Sequence, residues 1–320
     1  MAGKVLVIRG QHNLRDEHRG CVATIGNFDG VHAGHLAVLR ALKARGAEHG
    51  LPSVLVTFEP QPLEYFRPAE APARLTRPRE KLELLRDAGV DRVLVLRFDQ
   101  DLAMMQAEQF IRQVLIDGLG IRHLYVGDDF RFGRNRVGDF AMLKAFGREH
   151  GFAVECLETV GDSCGRISST RIREALAAGD LKTAACCLGR GYRMSGRVEH
   201  GHKRGRTIGF PTMNVGMARL RSPLRGVFAV QVDGLEDGPL NGVANIGNRP
   251  TLQGDDRFVL EVHLFDFDRE VYGQQVSVHF IERIRDERKF PSFDELREQI
   301  LRDAAQAREI LNNYQPNKEQ

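Results

Sequence analysis

One short segment decides how the first half of this chain folds. It reads Gly26-Asn27-Phe28-Asp29-Gly30-Val31-His32-Ala33-Gly34-His35. A β-branched run, Cys21–Ile25, comes directly before it and is predicted to be a strand. An amphipathic stretch, His35–Glu48, follows and is predicted to be a helix. Gly30 and Gly34 permit tight turns and a close approach of the backbone to a ligand. The segment therefore predicts a ligand-binding turn between a strand and a helix.

This turn is suited to bind phosphate, because the first N–H groups of a helix lack intrahelical partners and lie at the positive end of its dipole. His32 and His35 are three residues apart, so both imidazoles can donate hydrogen bonds to one phosphate. The same spacing also fits a metal site or ordinary capping histidines, although the sequence places no third ligand nearby. The predicted phosphate contacts are the two histidines with Gly26, Phe28, Asp29, Gly30 and Gly34.

Strands and helices alternate through the rest of the first half. Further strands are predicted at Ser53–Phe58, Arg92–Leu96, His123–Val126 and Ala153–Leu157, and helices at Arg79–Asp87, Ala107–Asp117 and Asp139–His150. Gly89 and Gly151 fall just past two of these helices, where a left-handed residue is favoured. The alternation indicates an α/β fold, with a parallel sheet covered by helices on both faces and ligands bound at the carboxyl ends of its strands.

A second segment with phosphate-binding side chains also begins a helix. It reads Gly165-Arg166-Ile167-Ser168-Ser169-Thr170-Arg171-Ile172-Arg173. Hydroxyl side chains at a helix start usually cap it, and capping alone is the simpler explanation. Three hydroxyls with three arginines exceed what a cap requires, and arginine binds phosphate oxygens in bidentate fashion. The predicted phosphate contacts are Arg166, Ser168, Ser169, Thr170 and Arg173.

The second half has a different pattern. Short strand-like runs punctuated by glycine occur at Gly226–Val232, Val243–Ile246, Phe258–Phe265 and Val276–Ile281, which predicts an antiparallel barrel. A long helix then ends the chain. Ser292 and Glu295 form a capping box for it, and its apolar stripe is Leu296, Ile300, Ala304, Ala307 and Leu311. We place the two domains at residues 1–186 and 187–320.

Two features of the second half point to chemistry. The segment Gly205–Asn214 is either a plain turn or a phosphate cradle, with Gly205, Arg206, Gly209 and Pro211 at phosphate and Thr212 and Asn214 offering oxygens to Mg²⁺. Along Phe258–Phe265 the apolar residues alternate onto one face, which leaves Glu261 and His263 on the other. An outward glutamate is commonly only solvated, but this position also suits a general base.

Composition narrows the function classes. The chain has 320 residues, 42% hydrophobic and 28% charged, with a net charge of +3. It has no run of 18 apolar residues, so we expect no membrane span and a cytoplasmic location. Its five cysteines form no C-x-x-C pair and are interpreted as free thiols. A non-enzymatic RNA-binding protein is disfavoured, since no basic stretch is interleaved with aromatic residues. We expect no nucleic-acid partner and no obligate protein partner.

The two helix-start segments resemble the signatures of the nucleotidylyltransferase superfamily, namely His32-Ala33-Gly34-His35 and Ile167-Ser168-Ser169-Thr170. The whole Gly26–His35 string resembles the FMN adenylyltransferase branch, as does Val126–Gly133. This resemblance implies a Rossmann-like parallel sheet and histidines that bind ATP phosphates. It also implies flavin contacts at Asp129, Phe130 and Phe58. Related adenylyl- and cytidylyltransferases with other acceptors are the nearest alternative, and the appended barrel argues against them.

The second half resembles the riboflavin kinase domain. The matching pieces are Gly205–Asn214, Gly226–Phe228, Val243–Thr251, Glu261–Asp268 and Arg285–Phe290. The resemblance implies a six-stranded antiparallel barrel, a Mg–ATP site at Thr212 and Asn214, and Glu261 as the base. Three residues depart from the usual pattern of the family. Met213 occupies a position where Ala is usual, Gln61 one where His is common, and Gly191 one where Pro is frequent.

Taken together, the two halves are similar to the prokaryotic bifunctional riboflavin kinase/FMN adenylyltransferase family. The family resemblance implies an enzyme that converts riboflavin to FMN and FMN to FAD, with ATP as co-substrate in both steps and Mg²⁺ as cofactor.

Overall fold

The computed structural model describes residues 5–127, 129–156, 161–162, 165–200, 210–217, 219, 221–250 and 256–315. Chain contacts divide the protein into two compact units. The first comprises Met1–Pro72 and Pro78–Ile167, and the second comprises Ala73–Arg77 and Ser168–Gln320. No helix in the described part of the chain is long and apolar enough to cross a membrane.

The first unit is built on a parallel sheet of six strands in the order β1-β4-β3-β2-β5-β6. The strands are β1 Leu6–Arg9, β2 Cys21–Ile25, β3 Ser53–Glu59, β4 Arg92–Arg97, β5 Ile121–Val126 and β6 Ala153–Cys156. The helices are α1 Ala33–His49, α2 Pro62–Phe66, α3 Pro78–Asp87, α4 Gln100–Met104, α5 Ala107–Phe110 and α6 Phe140–His150. A two-stranded ribbon, β7 Gly161–Asp162 and β8 Gly165–Arg166, completes the unit.

Both faces of the central strands are buried, as a parallel sheet between helical layers requires. All five residues of β2 are buried. They alternate between two apolar cores: Ala23 packs with Val54 and Leu124 on one face, and Val22 packs with Leu55 and Tyr125 on the other. The predicted α/β architecture is therefore confirmed.

Two local features differ from the predictions. The edge strand β1 was not predicted as a strand, because its four residues are too few to show a period. The helix predicted at Ala107–Asp117 is α5 followed by a π-helical stretch, Ile111–Gly118. The two helix ends predicted at Gly89 and Gly151 are confirmed, because both glycines have a left-handed backbone conformation with φ 74°.

The second unit contains a closed barrel of six antiparallel strands in the order β10-β13-β12-β11-β14-β9. The strands are β9 Arg193–Glu199, β10 Met213–Gly216, β11 Gly226–Asp233, β12 Leu240–Pro250, β13 Asp256–Leu264 and β14 Gln275–Arg285. Leu260 and Val262 point into the barrel, together with Phe228, and are fully buried. The barrel architecture is confirmed, although β9 and β10 were not among the predicted strands.

The described residues of this unit form three α-helices: α7 Ser169–Ala178, α8 Leu181–Leu188 and α9 Phe293–Asn313. The last begins where the capping box predicts, since the Ser292 hydroxyl accepts the Glu295 N–H at 3.2 Å. Ala304, Ala307 and Leu311 of the predicted stripe pack against the outside of the barrel. α9 therefore buries an outer face of the barrel.

The short segment Ala73–Arg77 is part of the second unit. The buried Tyr192 hydroxyl donates to the Leu75 carbonyl at 3.2 Å. Arg219 donates to the Arg74 carbonyl at 2.7 Å, and Arg77 donates to the Met217 carbonyl at 3.2 Å. The unit thus includes α7, α8 and this segment. The division into domains at residues 1–186 and 187–320 stays a prediction.

Candidate functional site

The Gly26–His35 turn lies between β2 and α1, at the carboxyl end of a central strand of the first unit. Its backbone is unusual: Phe28 has φ 47° and Val31 has φ 40°, and both residues are buried. A β-branched residue at positive φ is a genuine outlier, and such conformations cluster at ligand-binding and catalytic sites. The packing around the turn therefore holds it in a shape that the local sequence disfavours.

His32 and His35 come together in this turn. Their rings stack with centroids 3.6 Å apart, and Phe28 stacks on His35 at 4.4 Å. His32 is the N-cap of α1, and its Nδ1 accepts the His35 backbone N–H at 3.3 Å. Because Nδ1 is an acceptor, the neutral ring carries its proton on Nε2, which is a hydrogen-bond donor. The capping interpretation thus holds for His32 and is compatible with phosphate binding through the other nitrogen.

The metal interpretation finds no support in the described residues. Within them, no group of three or more His, Cys, Asp or Glu side chains is placed to hold a metal ion.

Lys81 is a residue of this site that sequence reasoning missed. It is buried, and its Nζ donates to the Asn27 carbonyl at 3.0 Å and to the Thr57 hydroxyl at 3.2 Å. A buried ammonium beneath the turn makes the site more favourable for an anion. Lys81 lies in the amphipathic helix α3, where a lysine is typical of the solvent face, so its position gave no signal.

The second helix-start segment reaches the turn through Ile167. A Cβ placed on Gly34 would lie 3.8 Å from the Ile167 carbonyl and 3.2 Å from the His32 ring, so this glycine admits close contacts. Arg166 Nη2 lies 3.5 Å from Asp129 Oδ2, and both side chains are exposed. The structure therefore brings together a predicted phosphate contact and a predicted flavin contact.

The remaining residues of that segment open α7 in the second unit. The Ser168 hydroxyl caps the helix by accepting the Arg171 N–H at 3.2 Å. Ser169 and Thr170 follow in its first turn, and Thr170 is exposed. Arg173 Nε donates to the Ala73 carbonyl at 2.6 Å, which fixes its guanidinium.

An aromatic edge cluster lies at the carboxyl ends of β3 and β4. It consists of Phe58 near the end of β3, Tyr65 and Phe66 in α2, and Phe98 just after β4. Phe98 contacts the other three edge-on, with centroids 5.5–5.9 Å apart. Phe66 is 60% exposed, which is unusual for a large apolar ring. Only Phe58 was predicted to bind ligand; the adjacent Tyr65-Phe66 pair was the available signal. Phe130, the residue after Asp129, stacks on Phe132 with ring centroids 5.4 Å apart.

In the barrel, three polar side chains form a row across neighbouring strands. Glu261 on β13 pairs directly with Asn214 on β10 and with Asn245 on β12. Directly opposite residues of paired strands place their side chains on the same face, about 4.5–5.5 Å apart at Cβ. Since Leu260 and Val262 point inward, this polar row lies on the outer face of the barrel.

A cavity of about 510 Å³ lies beside the row. Its lining includes Pro211, Thr212 and Asn214 from the predicted Mg–ATP segment and continues through Leu264 and the residues 267–272. His200 stacks on Tyr272, which also lines the cavity, at 3.9 Å. The volume suits a small-molecule ligand. The predicted contacts Gly205, Arg206 and Gly209 lie outside the described residues.

His263 holds the predicted Mg–ATP segment against β13. Its Nδ1–H donates to the Pro211 carbonyl at 2.8 Å, and its ring lies edge-on to Phe210. Burial lowers the pKa of His263 below its usual value of 6.5, so the ring is neutral near neutral pH. The neutral ring still carries a proton on Nδ1, so it keeps this hydrogen bond. The bond holds the ring in its place beside Glu261.

We expect the folded protein to lose stability as the pH falls below about 6.5. Burial lowers the pKa of His263, and of His123 and His279, so the unfolded chain binds protons more readily than the folded chain does. Stability therefore rises with pH through this window. Thermal melts between pH 5 and 7.5 should show a smaller dependence in His263→Gln than in the wild type, and identical slopes would contradict this assignment.

The three residues that depart from the family pattern lie in different surroundings. Met213 is 8% exposed on β10. Gln61 is the N-cap residue that precedes α2, and its backbone N–H donates to the Glu64 carboxylate at 2.8 Å. A side chain at Gly191 would meet no heavy atom within 4 Å. None of the three is among the predicted catalytic or phosphate contacts.

A strained, histidine-bearing turn at a helix start in a parallel α/β unit, together with a barrel that has its own cavity and polar row, is typical of a nucleotide-dependent transferase with two sites. Two sequence families match the chain: FAD synthetase over residues 14–171 and riboflavin kinase over residues 188–311. The chain belongs to the bifunctional riboflavin kinase/FMN adenylyltransferase family, as full-length relatives show. One from Pseudomonas fluorescens is 50% identical over 95% of this chain and 97% of its own. One from Escherichia coli K12 is 50% identical over 97% and 99%.

A solved structure from Streptococcus pneumoniae, described as a macrolide-efflux protein, has the same fold. It matches with a TM-score of 0.80 and 31% identity, over 97% of this chain and all of the other.

Proposed function

We propose a mechanism by which this chain carries out two successive transfers, first of a phosphoryl group and then of an adenylyl group. The protein is a transferase that phosphorylates riboflavin to FMN with ATP and then adenylates FMN to FAD with a second ATP, releasing pyrophosphate. The observation that carries this proposal is that each unit has a candidate site of its own: the strained His32–His35 turn in one, and the Asn214–Glu261–Asn245 row beside a cavity in the other. The name of the S. pneumoniae structure points elsewhere, but both family matches and the 50% identical relatives agree on flavin chemistry.

In the kinase reaction, Glu261 takes the proton of the riboflavin 5′-hydroxyl as that oxygen attacks the γ-phosphorus of ATP, and ADP leaves. Its place opposite Asn214 and beside the cavity supports this role. The oxygens of Thr212 and Asn214 are hard ligands at the cavity wall, of the type that Mg²⁺ prefers. They would hold the ion that accompanies ATP, which supplies charge neutralisation of the phosphates.

In the adenylyl reaction, an FMN phosphate oxygen attacks the α-phosphorus of ATP, and pyrophosphate leaves. The nucleophile is already an anion, so the step needs no protein base. His32 and His35 stabilise the charge that develops on the phosphates, and Lys81 beneath the turn adds to the positive potential. Arg166, Ser169, Thr170 and Arg173 contact the leaving pyrophosphate, while Ser168 keeps the helix start in shape.

The flavin ring of FMN binds at the carboxyl edge of the sheet. Phe58 belongs to the aromatic edge cluster there, whose exposed rings offer a surface for an isoalloxazine. Asp129 and Phe130 contribute from the loop after β5. We also propose that the enzyme works in the cytoplasm, where the free thiols Cys21, Cys156, Cys186 and Cys187 stay reduced.

The direct test is to incubate the purified protein with riboflavin, ATP and Mg²⁺ and to separate the flavins by chromatography. FMN should form first and FAD should follow. A protein that leaves both flavins unchanged, or that adenylates only phosphopantetheine or another non-flavin acceptor, would refute the proposal.

We expect a fragment from about Leu188 onward to make FMN from riboflavin by itself, because the barrel has its own core and polar row. A fragment from Ser168 should melt at a higher temperature, since it keeps α7 and α8, and α8 buries Ala184 and Cys187. Flavin chromatography and thermal melts check both points. A folded fragment without kinase activity would mean that residues before it contribute to the kinase site.

A further inference from the structure

The connection between β13 and β14 forms part of the cavity beside the polar row. Residues 267–272 of this connection line the cavity together with Thr212 and Asn214, and we call residues 267–272 the cavity wall. The far end of the wall is held by β9, because the Gly273 N–H donates to the Val198 carbonyl at 2.9 Å. The shape of the cavity therefore also depends on what holds the near end of the wall, where β13 stops.

Two residues, Phe265 and Asp266, join β13 to the cavity wall. Phe265 is buried against α9, and its N–H donates to the Asn241 carbonyl at 2.9 Å. Asp266 has φ 55°, a left-handed conformation that is uncommon for residues other than glycine, although aspartate adopts it more readily than most. The backbone at Asp266 therefore sets the direction in which the chain enters the wall.

One side chain of α9 contacts both of these residues. The Arg308 guanidinium donates to the two carboxylate oxygens of Asp266, at 2.8 and 3.0 Å, and its Cζ lies 4.3 Å from the centroid of the Phe265 ring. A bidentate pair of this kind fixes orientation as well as distance. The hydrogen bonds from Arg308 lower the pKa of Asp266 below its usual value, so the carboxylate is ionised at neutral pH.

The contacts of Phe265 also reach the predicted Mg–ATP segment. The Phe265 ring lies edge-on to His263, with centroids 5.8 Å apart. His263 in turn donates to the Pro211 carbonyl at 2.8 Å, one residue before Thr212. A continuous series of contacts thus runs from Arg308 to both parts of the cavity lining, and chains of packed and hydrogen-bonded side chains carry energetic coupling in proteins.

The ion pair between Arg308 and Asp266 is exposed, which limits its share in stability. The two side chains are 48% and 78% exposed, and exposed pairs contribute little to the free energy of unfolding. α9 itself packs on the barrel through Ala304, Ala307 and Leu311. Loss of the pair should therefore change the position of the cavity wall and leave the fold intact.

We propose that Arg308 is a positioning residue for ATP in the kinase reaction. By holding Phe265 and Asp266 it sets the cavity wall and, through His263, the segment that carries Thr212. Arg308 acts through these residues and takes no part in the chemical step. The inference rests on the proposed function, in which this cavity binds the ATP that phosphorylates riboflavin.

The test measures steady-state riboflavin phosphorylation by the full-length Arg308→Met variant. KM for ATP should rise about five- to ten-fold, the loss expected when a bidentate ion pair and a cation–π contact are removed together. KM for riboflavin and kcat should stay within about two-fold of wild type, because the contacts of Arg308 affect nucleotide binding and not the transfer itself.

Two conservative variants separate positioning from general structural damage. Arg308→Lys keeps the charge but not the planar fork, so its KM for ATP should lie between those of wild type and Arg308→Met. Asp266→Asn tolerates the left-handed backbone but weakens the pair, and should raise KM for ATP by about three-fold. The double variant Arg308→Met/Asp266→Asn should be no worse than Arg308→Met alone, since both changes act on one contact.

Arg302→Met is the matched control. Arg302 lies on the same helix and forms an exposed ion pair with Glu298 at 3.3 Å, within α9 and without contact to the cavity wall. It should leave KM for ATP unchanged. Thermal melts and adenylation of supplied FMN check folding, and KM for ATP in the adenylation reaction should equal the wild-type value in every variant.

An unchanged KM for ATP in the phosphorylation reaction of Arg308→Met would overturn the inference, as would additive effects in the double variant or an equal rise in Arg302→Met. If thermal melts show that Arg308→Met does not fold, Arg308→Lys and Asp266→Asn decide the question by the same measurement. A wild-type protein that makes no FMN would instead refute the proposed function itself.

Discussion

Glu261→Gln is expected to slow riboflavin phosphorylation by about 10²–10⁴-fold, the usual loss when a general base is removed. The amide keeps the size of the side chain and its place opposite Asn214 and Asn245, but it cannot take the proton of the attacking hydroxyl. Adenylation of supplied FMN should be nearly unchanged, since Glu261 takes no part in the proposed adenylyl step. Rates of FMN formation and of FAD formation, measured separately, check both expectations.

Glu282→Gln provides the control for this variant. Glu282 is another outward glutamate of the barrel, on β14 opposite Ala229. It is exposed whereas Glu261 is half-buried, and it is not part of the polar row. It should phosphorylate riboflavin at the wild-type rate. Equal loss of both activities in Glu261→Gln would contradict the assignment of Glu261 to the kinase step alone.

His32→Ala and His35→Ala should each reduce kcat for FMN adenylation by about 10²–10³-fold, or roughly 3–4 kcal/mol, which is typical for one preorganised donor. Riboflavin phosphorylation should remain close to wild type. His→Asn should be milder at both positions, because an amide keeps a donor at similar reach. Single-turnover assays with supplied FMN and ATP measure the effect directly.

The position of His32 as N-cap adds a second expectation. His32→Ala should also lower the stability of the first unit by about 1 kcal/mol, whereas His32→Asn keeps a good cap. His49→Ala is the matched control, since His49 ends the same helix and stacks on His123 far from the turn. It should adenylate FMN normally.

The two histidine variants also decide between phosphate and metal binding. A metal site would require near-stoichiometric zinc in the wild-type protein, and a strong chelator would abolish adenylation even after Mg²⁺ is restored. Elemental analysis of wild type and variants measures this. Zinc in the wild type and its loss in both variants would refute the phosphate interpretation.

Local patterns were sufficient for much of the fold. β2, the Gly26–His35 turn and α1 follow each other at close to their predicted bounds, because periodicity, glycine placement and helix-start chemistry act within a few residues. The same holds for α9, where Ser292 and Glu295 mark the start. The polar face of β13 was also predicted, since alternation along one strand places Glu261 opposite the core side.

Contacts between residues that are distant in sequence decided the remaining features of the fold and of the sites. The pairing of Glu261 with Asn214 and Asn245 depends on barrel register, which is set by strand closure and not by any one strand. Edge strand β1 gains its form from pairing with β4. Lys81 is buried only because α3 packs against the turn, where its Nζ donates to the Asn27 carbonyl. The sequence by itself determined which local elements form and which residue types carry the chemistry. Tertiary packing decided which of those residues meet, because contacts between distant segments arise from the closure of sheet and barrel and not from local conformational preference.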